Sequence, residues 1–455
     1  MSAKPDPARG VAGLWLLWLV AGLLPAWYSF RFLYADGAAY LIEIIHKRFF
    51  FFPWNGRQVA QVLDQWPAVL AVVSGARDFR FLAGCLGAGM MFMPVLIHGL
   101  ALGLLLRRGR GGAAAVYLAM LWLLQLYAGL MPVAEVHVAA AVFLLFAVAV
   151  LTGDPAGKAY WILAGLLGLL SFRLYEFWFF YAMLLGAVLQ WKLITHWLAM
   201  RSGARWTAVV ALLILAASLL INLQRLLGAG DNPNRVSFMQ MLSGTTLPVY
   251  LALITAWFLG LCGNVWLACG RCPAGWSRWL PPAKVRRGAL LLSLLALLAL
   301  SAFQFDTMVR YSYPFRVLNL ALPVIFVFWL AVAGARDAVR EWPAGLRELL
   351  AVLTAALLIH ETRLTLDWNR YQDWVAQVPA SDPGVKFAAQ PPDTRLAQTW
   401  MYPWAHSAHS FEVQALRNGS VQAVAFDPSA GWNPYGPQHA GVLRAVADEC
   451  GIAWE

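Results

Sequence analysis

Long apolar runs separated by short polar segments dominate this chain. Runs close to the roughly 20 residues that a helix needs to cross a bilayer lie at 11–30, 81–106, 112–131, 134–151, 159–174, 177–198, 206–226, 247–268, 288–305, 316–334 and 348–366. The pattern predicts an all-α polytopic membrane protein with about 11 transmembrane helices. The predicted transmembrane domain covers residues 1–366.

One apolar stretch, residues 62–76, is predicted to lie on the membrane rather than cross it. It is only about 15 residues long and contains Asp64 and Pro67, so it is too short and too polar to span. It belongs to a predicted first external loop, residues 31–80, with an amphipathic piece at 35–52. The aromatic block at 49–54 in this loop suits the headgroup layer.

Composition excludes a soluble protein. Hydrophobic residues make up 61% of the 455 residues and charged residues 13%, whereas soluble domains have roughly 25% charged residues. The net charge is +11, and the bases lie between apolar runs rather than in polar clusters, so nucleic acid is not an expected partner. A cytoplasmic N-terminus places most bases inside. The expected location is a bacterial inner membrane.

The last part of the chain, residues 367–455, differs in character from the rest. It is polar and rich in proline, with an alternating strand candidate at 421–426 and a helix candidate at 441–450. An odd number of spans places it outside. We predict a small α+β external cap, periplasmic in a bacterium.

Carboxylates directly after the first span are the leading candidates for chemistry. Asp36, Tyr40 and Glu43 fall on one face if the segment is helical. Asp36 and Glu43 are therefore candidate catalytic residues, with Asp36 as the general base and Tyr40 in support. The alternative role for Asp36 is an N-cap, which satisfies free backbone N–H groups.

Two other predicted external turns carry titratable or charged groups. Glu135 and His137 stand at the outer start of the fourth run, where they could position a hydroxyl group or ligate a metal; alternatively, Glu135 complements the helix dipole. Arg173 and Glu176 are three residues apart and can form a structural ion pair. Arg173 would still have N–H donors for a phosphate.

The loop at residues 306–316 combines arginines with tyrosines. Arg310 and Arg316 alternate with Tyr311 and Tyr313, which suits a phosphate held at headgroup depth. An aromatic belt with snorkelling arginines is the alternative. The histidines of the tail lack ligand spacing. No metal site or cofactor is predicted, and a requirement for a divalent metal stays open.

The predicted architecture resembles the GT-C superfamily of membrane glycosyltransferases in four features. They are an acidic residue after the first span, a first external loop of interfacial helices, about a dozen spans and an external C-terminal cap. The resemblance concerns architecture; its one matching position is Asp36, followed by Gly37 where many members have a second acid. It implies a polyprenyl-phosphate-linked sugar as donor and Asp36 as the catalytic base.

The function expected from this resemblance is inverting transfer of the sugar to an acceptor hydroxyl of a glycan or lipid at the external face. Glu43 or Glu135 would orient the acceptor, while Arg173, Arg310 and Arg316 would stabilise the leaving phosphate. Two alternatives are a lipid-linked glycan ligase or polymerase and a secondary transporter.

Overall fold

The computed structural model describes residues 7–34, 36–53, 56–128, 135–175, 178–228, 246–268, 282–308, 313–334, 345–381, 406–422, 424 and 440–454. These residues are almost all helical. The predicted all-α class is therefore confirmed, and each predicted apolar run overlaps a helix of the described residues.

The helices and strands follow one another in a simple order. They are α1 (Pro7–Trp18), α2 (Leu24–Tyr28), α3 (Asp36–Lys47), α4 (Gln58–Val73), α5 (Phe79–Gly87), α6 (Met93–Arg107), α7 (Gly111–Ala128), α8 (Glu135–Thr152), α9 (Lys158–Leu170), α10 (Trp178–His196), α11 (Ser202–Gly228), α12 (Thr246–Ala268), α13 (Ala283–Met308), α14 (Tyr313–Gly334), α15 (Leu346–Ser381), α16 (His406–Asn418), β1 (Ser420–Val421), α17 (Ala440–Cys450) and β2 (Ala453–Trp454).

Several of these helices have the length and apolarity of membrane spans. Among the described residues, six meet both criteria: Arg9–Tyr28, Phe79–Arg107, Glu135–Thr152, Trp178–His196, Ser202–Gln224 and Leu346–Gln377. Shorter apolar helices cover Gly111–Leu126, Lys158–Leu170, Ala252–Gly263 and Leu318–Val332. The protein is an integral membrane protein.

Two of the spans contain a π-helical turn. Leu19–Leu23 joins α1 to α2, and Ala88–Phe92 joins α5 to α6. Each turn precedes a proline, Pro25 or Pro94, whose ring has no N–H and clashes with the carbonyl four residues earlier. The wider turn accommodates this defect without ending the helix.

Helices α7 and α8 form the centre of the bundle. Helix α7 packs against α1, α6, α14 and α15, and α8 packs against α6, α9, α10 and α14. Nearly every described side chain of both helices is buried. Polar groups here are satisfied between helices: the indole N–H of Trp122 donates to Oγ1 of Thr354 at 2.8 Å, and Nδ1 of His98 lies 2.8 Å from the Tyr117 hydroxyl.

Helix α4 includes most of the predicted interfacial stretch. One face, including Gln61, Asp64 and Gln65, is buried, whereas Trp66 and Leu70 on the other face are exposed. It packs against α3, α5 and α8, and it is not among the apolar helices of spanning length in the described residues. A short helix that buries polar groups inward and exposes apolar groups outward suits a position at the edge of the membrane.

The C-terminal region packs on the same end of the bundle as α3 and α4. Helix α16 contacts α3, α5 and α15, while α17 contacts α3. Strands β1 and β2 pair in parallel, Ser420 with Ala453 and Val421 with Trp454. We call this end, where α3, α4, α16 and α17 pack, the tail end.

The last long helix extends beyond the predicted boundary at residue 366. Helix α15 continues to Ser381 because its outer turns are covered by the C-terminal region. Trp368 and Tyr371 are buried against His409 of α16, with ring centroids 4.9 and 5.6 Å away. The span and the cap therefore share one continuous helix.

Candidate functional site

A buried polar cluster at the tail end centres on Glu135, the first residue of α8. Its Oε1 accepts hydrogen bonds from the Tyr40 hydroxyl at 2.5 Å and from Nε2 of Gln61 at 3.3 Å. Its Oε2 lies 3.3 Å from Nη1 of Arg57. The carboxyl group thus joins α3, the start of α4 and α8. We call Tyr40, Arg57, Gln61 and Glu135 the Glu135 cluster.

All four side chains of the Glu135 cluster are withdrawn from solvent. Glu135 is 2% exposed and Arg57 is 3% exposed. A buried charge costs several kcal/mol unless an opposite charge and hydrogen bonds compensate for it. Here one carboxylate faces one guanidinium and two neutral donors, an arrangement that compensates for the burial of both groups.

Arg57 also connects the cluster to the turn between α9 and α10. Its guanidinium carbon lies 4.7 Å from the centre of the Tyr175 ring, in cation–π contact. The backbone N–H of Val59 donates to the carbonyl of Arg173 at 3.2 Å. Nη1 of Arg173 donates to Oε1 of Gln58. Residues 57–59 therefore tie the exposed Arg173 to the buried Glu135.

The backbone of Arg173 has φ +52°, in the left-handed region that non-glycine residues rarely adopt. The conformation reverses the chain at the end of α9, and the carbonyl of Arg173 is directed to α4. A strained residue at a site is held only when its surroundings determine it, and the two hydrogen bonds to α4 supply that restraint.

Asp64 lies two turns after Arg57 on the buried face of α4. It is 2% exposed, and its Oδ1 has no hydrogen-bond partner among the described residues. Burial, and secondarily the negative charge of Glu135, raise the pKa of Asp64 well above its usual value. Gln61 Oε1 likewise has no hydrogen-bond partner in the described part of the chain.

A glycine permits α4 to pack this closely. A Cβ atom on Gly89, in the π-helical turn of the second span, would overlap the backbone carbonyl oxygen of Asp64. Only a residue without a side chain fits there. The spacing between α4 and the second span, and with it the depth of Asp64, depends on Gly89.

The structure places the predicted catalytic residues as follows. Asp36 begins α3, one helical turn before Tyr40, and its side chain lies outside the described residues. Glu43 pairs with Lys47 at 2.7 Å. His137 is buried two residues after Glu135. Asp36, Tyr40, Glu135 and Arg173 thus lie on segments that meet at α4.

The other predicted donor-binding residues fall where the structure gives no side chain. Glu176, Arg310 and Tyr311 lie outside the described residues, and Tyr313 and Arg316 belong to the first turn of α14 without described side chains. Their assignment to a phosphate site stays a prediction. Among the described residues, no group of three or more His, Cys, Asp or Glu side chains is arranged to hold a metal ion.

Sequence reasoning did not identify Arg57 or Gln61 as site residues, and it assigned Asp64 no specific role in the site. A signal was present. Arg57, Gln61 and Asp64 are four and three residues apart, so they form a polar stripe along one face at the start of α4, a helix that also contains Gln58 and Gln65. Such a stripe predicts a buried polar partner, although it does not identify Glu135.

A second buried ion pair lies at the same end of the bundle. Nη2 of Arg31, just after the first span, pairs with Oε2 of Glu361 in α15, and Nη1 donates to Oγ1 of Thr365 at 3.1 Å. Both charged side chains are buried. This pair links the end of the first span to α15.

In comparisons with known proteins, no family model matches this chain, and no curated protein or solved structure matches it at a significant level.

Proposed function

We propose that this protein is an inverting glycosyltransferase that moves a sugar from a polyprenyl-phosphate donor to an acceptor hydroxyl at the tail end. The observation that carries the proposal is the convergence on α4: the helix begun by Asp36, the buried Glu135 and the exposed Arg173 are all tied to residues 57–61. A candidate base and a candidate phosphate ligand thus belong to one structural unit.

The proposed reaction is a single displacement. The acceptor oxygen attacks the anomeric carbon, the bond from that carbon to the phosphate oxygen breaks, and polyprenyl phosphate leaves. The carboxylate of Asp36 takes the proton of the acceptor hydroxyl. Arg173, with Arg310 and Arg316, neutralises the charge that develops on the leaving phosphate, and Tyr311 and Tyr313 line the headgroup layer beside it.

Glu135 has a positioning role in this proposal. Its carboxylate is buried and already accepts from Tyr40, Gln61 and Arg57, so we assign proton transfer to Asp36 instead. Through Tyr40, Glu135 links α3, the helix that Asp36 begins, to α8. Glu43 and His137 remain candidates for orienting the acceptor, and Glu176 for supporting Arg173.

The proposed placement in the membrane follows the charges. Arg107, Arg108, Lys158, Arg201 and Arg205 lie at the ends of helices opposite the tail end, as expected for a cytoplasmic face. We assign eleven spans, a cytoplasmic N-terminus and a periplasmic tail in a bacterial inner membrane.

Transfer can be tested with purified protein in liposomes that contain radiolabelled polyprenyl-phosphate hexoses and pentoses. Asp36→Asn should abolish transfer while leaving donor retention unchanged, because the amide cannot accept a proton. Asp154→Asn is the matched control, since Asp154 lies exposed at the opposite end. Full transfer by Asp36→Asn, or no transfer by the wild type with any of these donors, would contradict the proposal.

A second candidate function, a proton-coupled secondary transporter, is favoured by one observation. Asp64 is a buried carboxyl group with an unbonded oxygen beside a charged carboxylate, and buried carboxyls of this kind carry protons in transporters. A proton-coupled transporter would change the internal pH of liposomes when a candidate solute gradient is imposed, and Asp64→Asn would stop that proton movement. Sugar transfer by Asp64→Asn at the wild-type rate favours the transferase instead.

A further inference from the structure

A large cavity at the tail end lies apart from the Glu135 cluster. It has a volume of about 1270 Å³ and is formed by the end of the first span, the start of the second span, the outer turns of α15 and the end of α16. No residue of the Glu135 cluster lines it. Its position places it where membrane-spanning helices emerge beneath the C-terminal cap.

One wall of the cavity is apolar and aromatic. Trp27, Tyr28, Phe30 and Phe81 line it together with the small residues Gly84 and Ala88. Tyr28 and Phe81 are exposed, and the indole N–H of Trp27 is already bonded to the carbonyl of Gly84 at 3.0 Å. This wall offers flat apolar surfaces and few hydrogen bonds, as suits a sugar ring face or the start of an acyl chain.

The charged side chains that line the cavity have no net charge. Two acids, Asp78 and Asp373, balance two bases, Arg80 and Arg417. Arg417 pairs with Asp373 and also donates to Oε1 of Gln372 at 3.3 Å. A headgroup with a full charge would meet an equal number of like and unlike charges here.

The charged groups of the cavity also form hydrogen bonds with other parts of the protein. Nη2 of Arg80 donates to the carbonyl of Leu416 at 2.9 Å, and its guanidinium lies over the ring of Phe30. Oδ1 of Asp78 accepts from the N–H of Phe81. The cavity lining also includes the uncharged amides of Asn369, Gln377 and Asn418, which donate and accept hydrogen bonds without preferring either charge.

We infer that this cavity binds the uncharged, hydroxyl-rich headgroup of a glycolipid, with its acyl chains leaving along the first two spans. Amide side chains match hydroxyl groups, aromatic rings match sugar faces, and the balanced charges offer nothing to a phosphate. The volume exceeds the roughly 300–1,000 Å³ of sites for small ligands, so it accommodates a headgroup with the beginning of its chains.

Under the proposed function, this ligand is the acceptor whose hydroxyl receives the sugar. That assignment rests on the proposed function; the binding itself does not. The donor phosphate would be bound on the Arg173 side, separate from this cavity.

Binding can be measured by photo-crosslinking in phosphatidylcholine nanodiscs. The probe is monoglucosyl diacylglycerol with a diazirine on one acyl chain, and phosphatidylglycerol with the same chain is the matched charged lipid. We expect the glucolipid to crosslink to peptides from the first span, the second span and α15, and to be favoured over phosphatidylglycerol by about tenfold. Equal labelling by the two lipids would overturn the inference.

A cavity-filling variant tests the location. Ala376→Trp on α15 places a large ring in the cavity. The control is Leu366→Trp on the same helix, because Leu366 is exposed and does not line the cavity. Ala376→Trp should reduce glucolipid labelling by about tenfold, and Leu366→Trp should leave it unchanged. Equal labelling of both variants, at matched melting temperatures, would contradict the assigned site.

Two further arms separate the possible failures. Soluble methyl glucoside at the lipid concentration should not compete with the glucolipid probe, since it lacks the acyl chains that the apolar wall holds. Full competition would contradict the inference that the ligand is a lipid. Labelling should persist in Asp36→Asn, so loss of transfer in that variant and loss of labelling in Ala376→Trp report on the two proposals independently.

Discussion

Removal of the charge on Glu135 is the sharpest test of the structure. Glu135→Gln keeps the shape of the side chain and an oxygen that can accept from Tyr40, but it removes the negative charge opposite Arg57. Breaking a buried ion pair by changing one partner costs about 3–5 kcal/mol. We expect the free energy of unfolding to fall by that amount, because the guanidinium of Arg57 stays buried.

The partner variant shows whether the two charges act together. Arg57→Met removes the cation and leaves Glu135 with Tyr40 and Gln61, so it should cost a similar amount. The double variant buries no charge at this position and should cost less than the sum of the two single changes, by about 0.5–3 kcal/mol. The measurement is chemical unfolding in mixed detergent micelles, followed by tryptophan fluorescence.

An exposed ion pair supplies the matched control. Arg48 and Glu449 lie 3.4 Å apart with both side chains at least one third exposed, and such surface pairs contribute about 0–1 kcal/mol. Glu449→Gln should therefore have little effect. If Glu135→Gln cost no more than Glu449→Gln, or if the double variant cost the full sum, the Glu135 cluster would not stabilise the tail end as the structure indicates.

Two other perturbations follow from α4. Gly89→Ala should lower the free energy of unfolding by about 1–3 kcal/mol, the cost of overpacking a well-packed core, whereas Gly103→Ala in the same span, which meets open space, should be neutral. Thermal unfolding of both variants checks this, and equal melting temperatures would be inconsistent with close packing at Gly89. The raised pKa of Asp64 means that the folded state binds the proton of this carboxyl group more tightly than the unfolded state does. The free energy of unfolding should therefore fall as pH rises from near 3.8, the usual pKa, through the raised pKa. Asp64→Asn should remove this loss, so that the variant gains on the wild type with rising pH; parallel melting curves across that window would show that Asp64 is not held in its neutral form.

The fold could be predicted because apolar length determines where a membrane helix lies. The runs at 81–106 and 134–151 match the helices Phe79–Arg107 and Glu135–Thr152 within a few residues, since the same residues that seek the bilayer also pack in the bundle. The end of the last span was harder. Helix α15 continues beyond residue 366 because Trp368 and Tyr371 pack on α16, and that contact depends on tertiary structure.

The site could be predicted only in part. Tyr40, Glu135 and Arg173 stood out individually as polar groups at helix ends, but their meeting at α4 depends on how α3, α4 and α8 pack. Arg57 was harder to predict as a site residue because it precedes α4 rather than lying within it. Glu361 offered none, since an acid near the end of a span marks a boundary as readily as a buried pair with Arg31.

The two buried ion pairs have different consequences for the tail end. Arg31 and Glu361 join two long helices that already pack through the bundle, so apolar contacts would hold those helices together without that pair. By contrast, α3 is a short helix that packs on α4, α16 and α17, and the bond from Tyr40 to Glu135 links it to α8. The position of the segment that begins with Asp36 relative to α8 therefore depends in part on one charged residue of the core. For this reason, a change at Glu135 should reduce sugar transfer even though Glu135 takes no part in proton transfer.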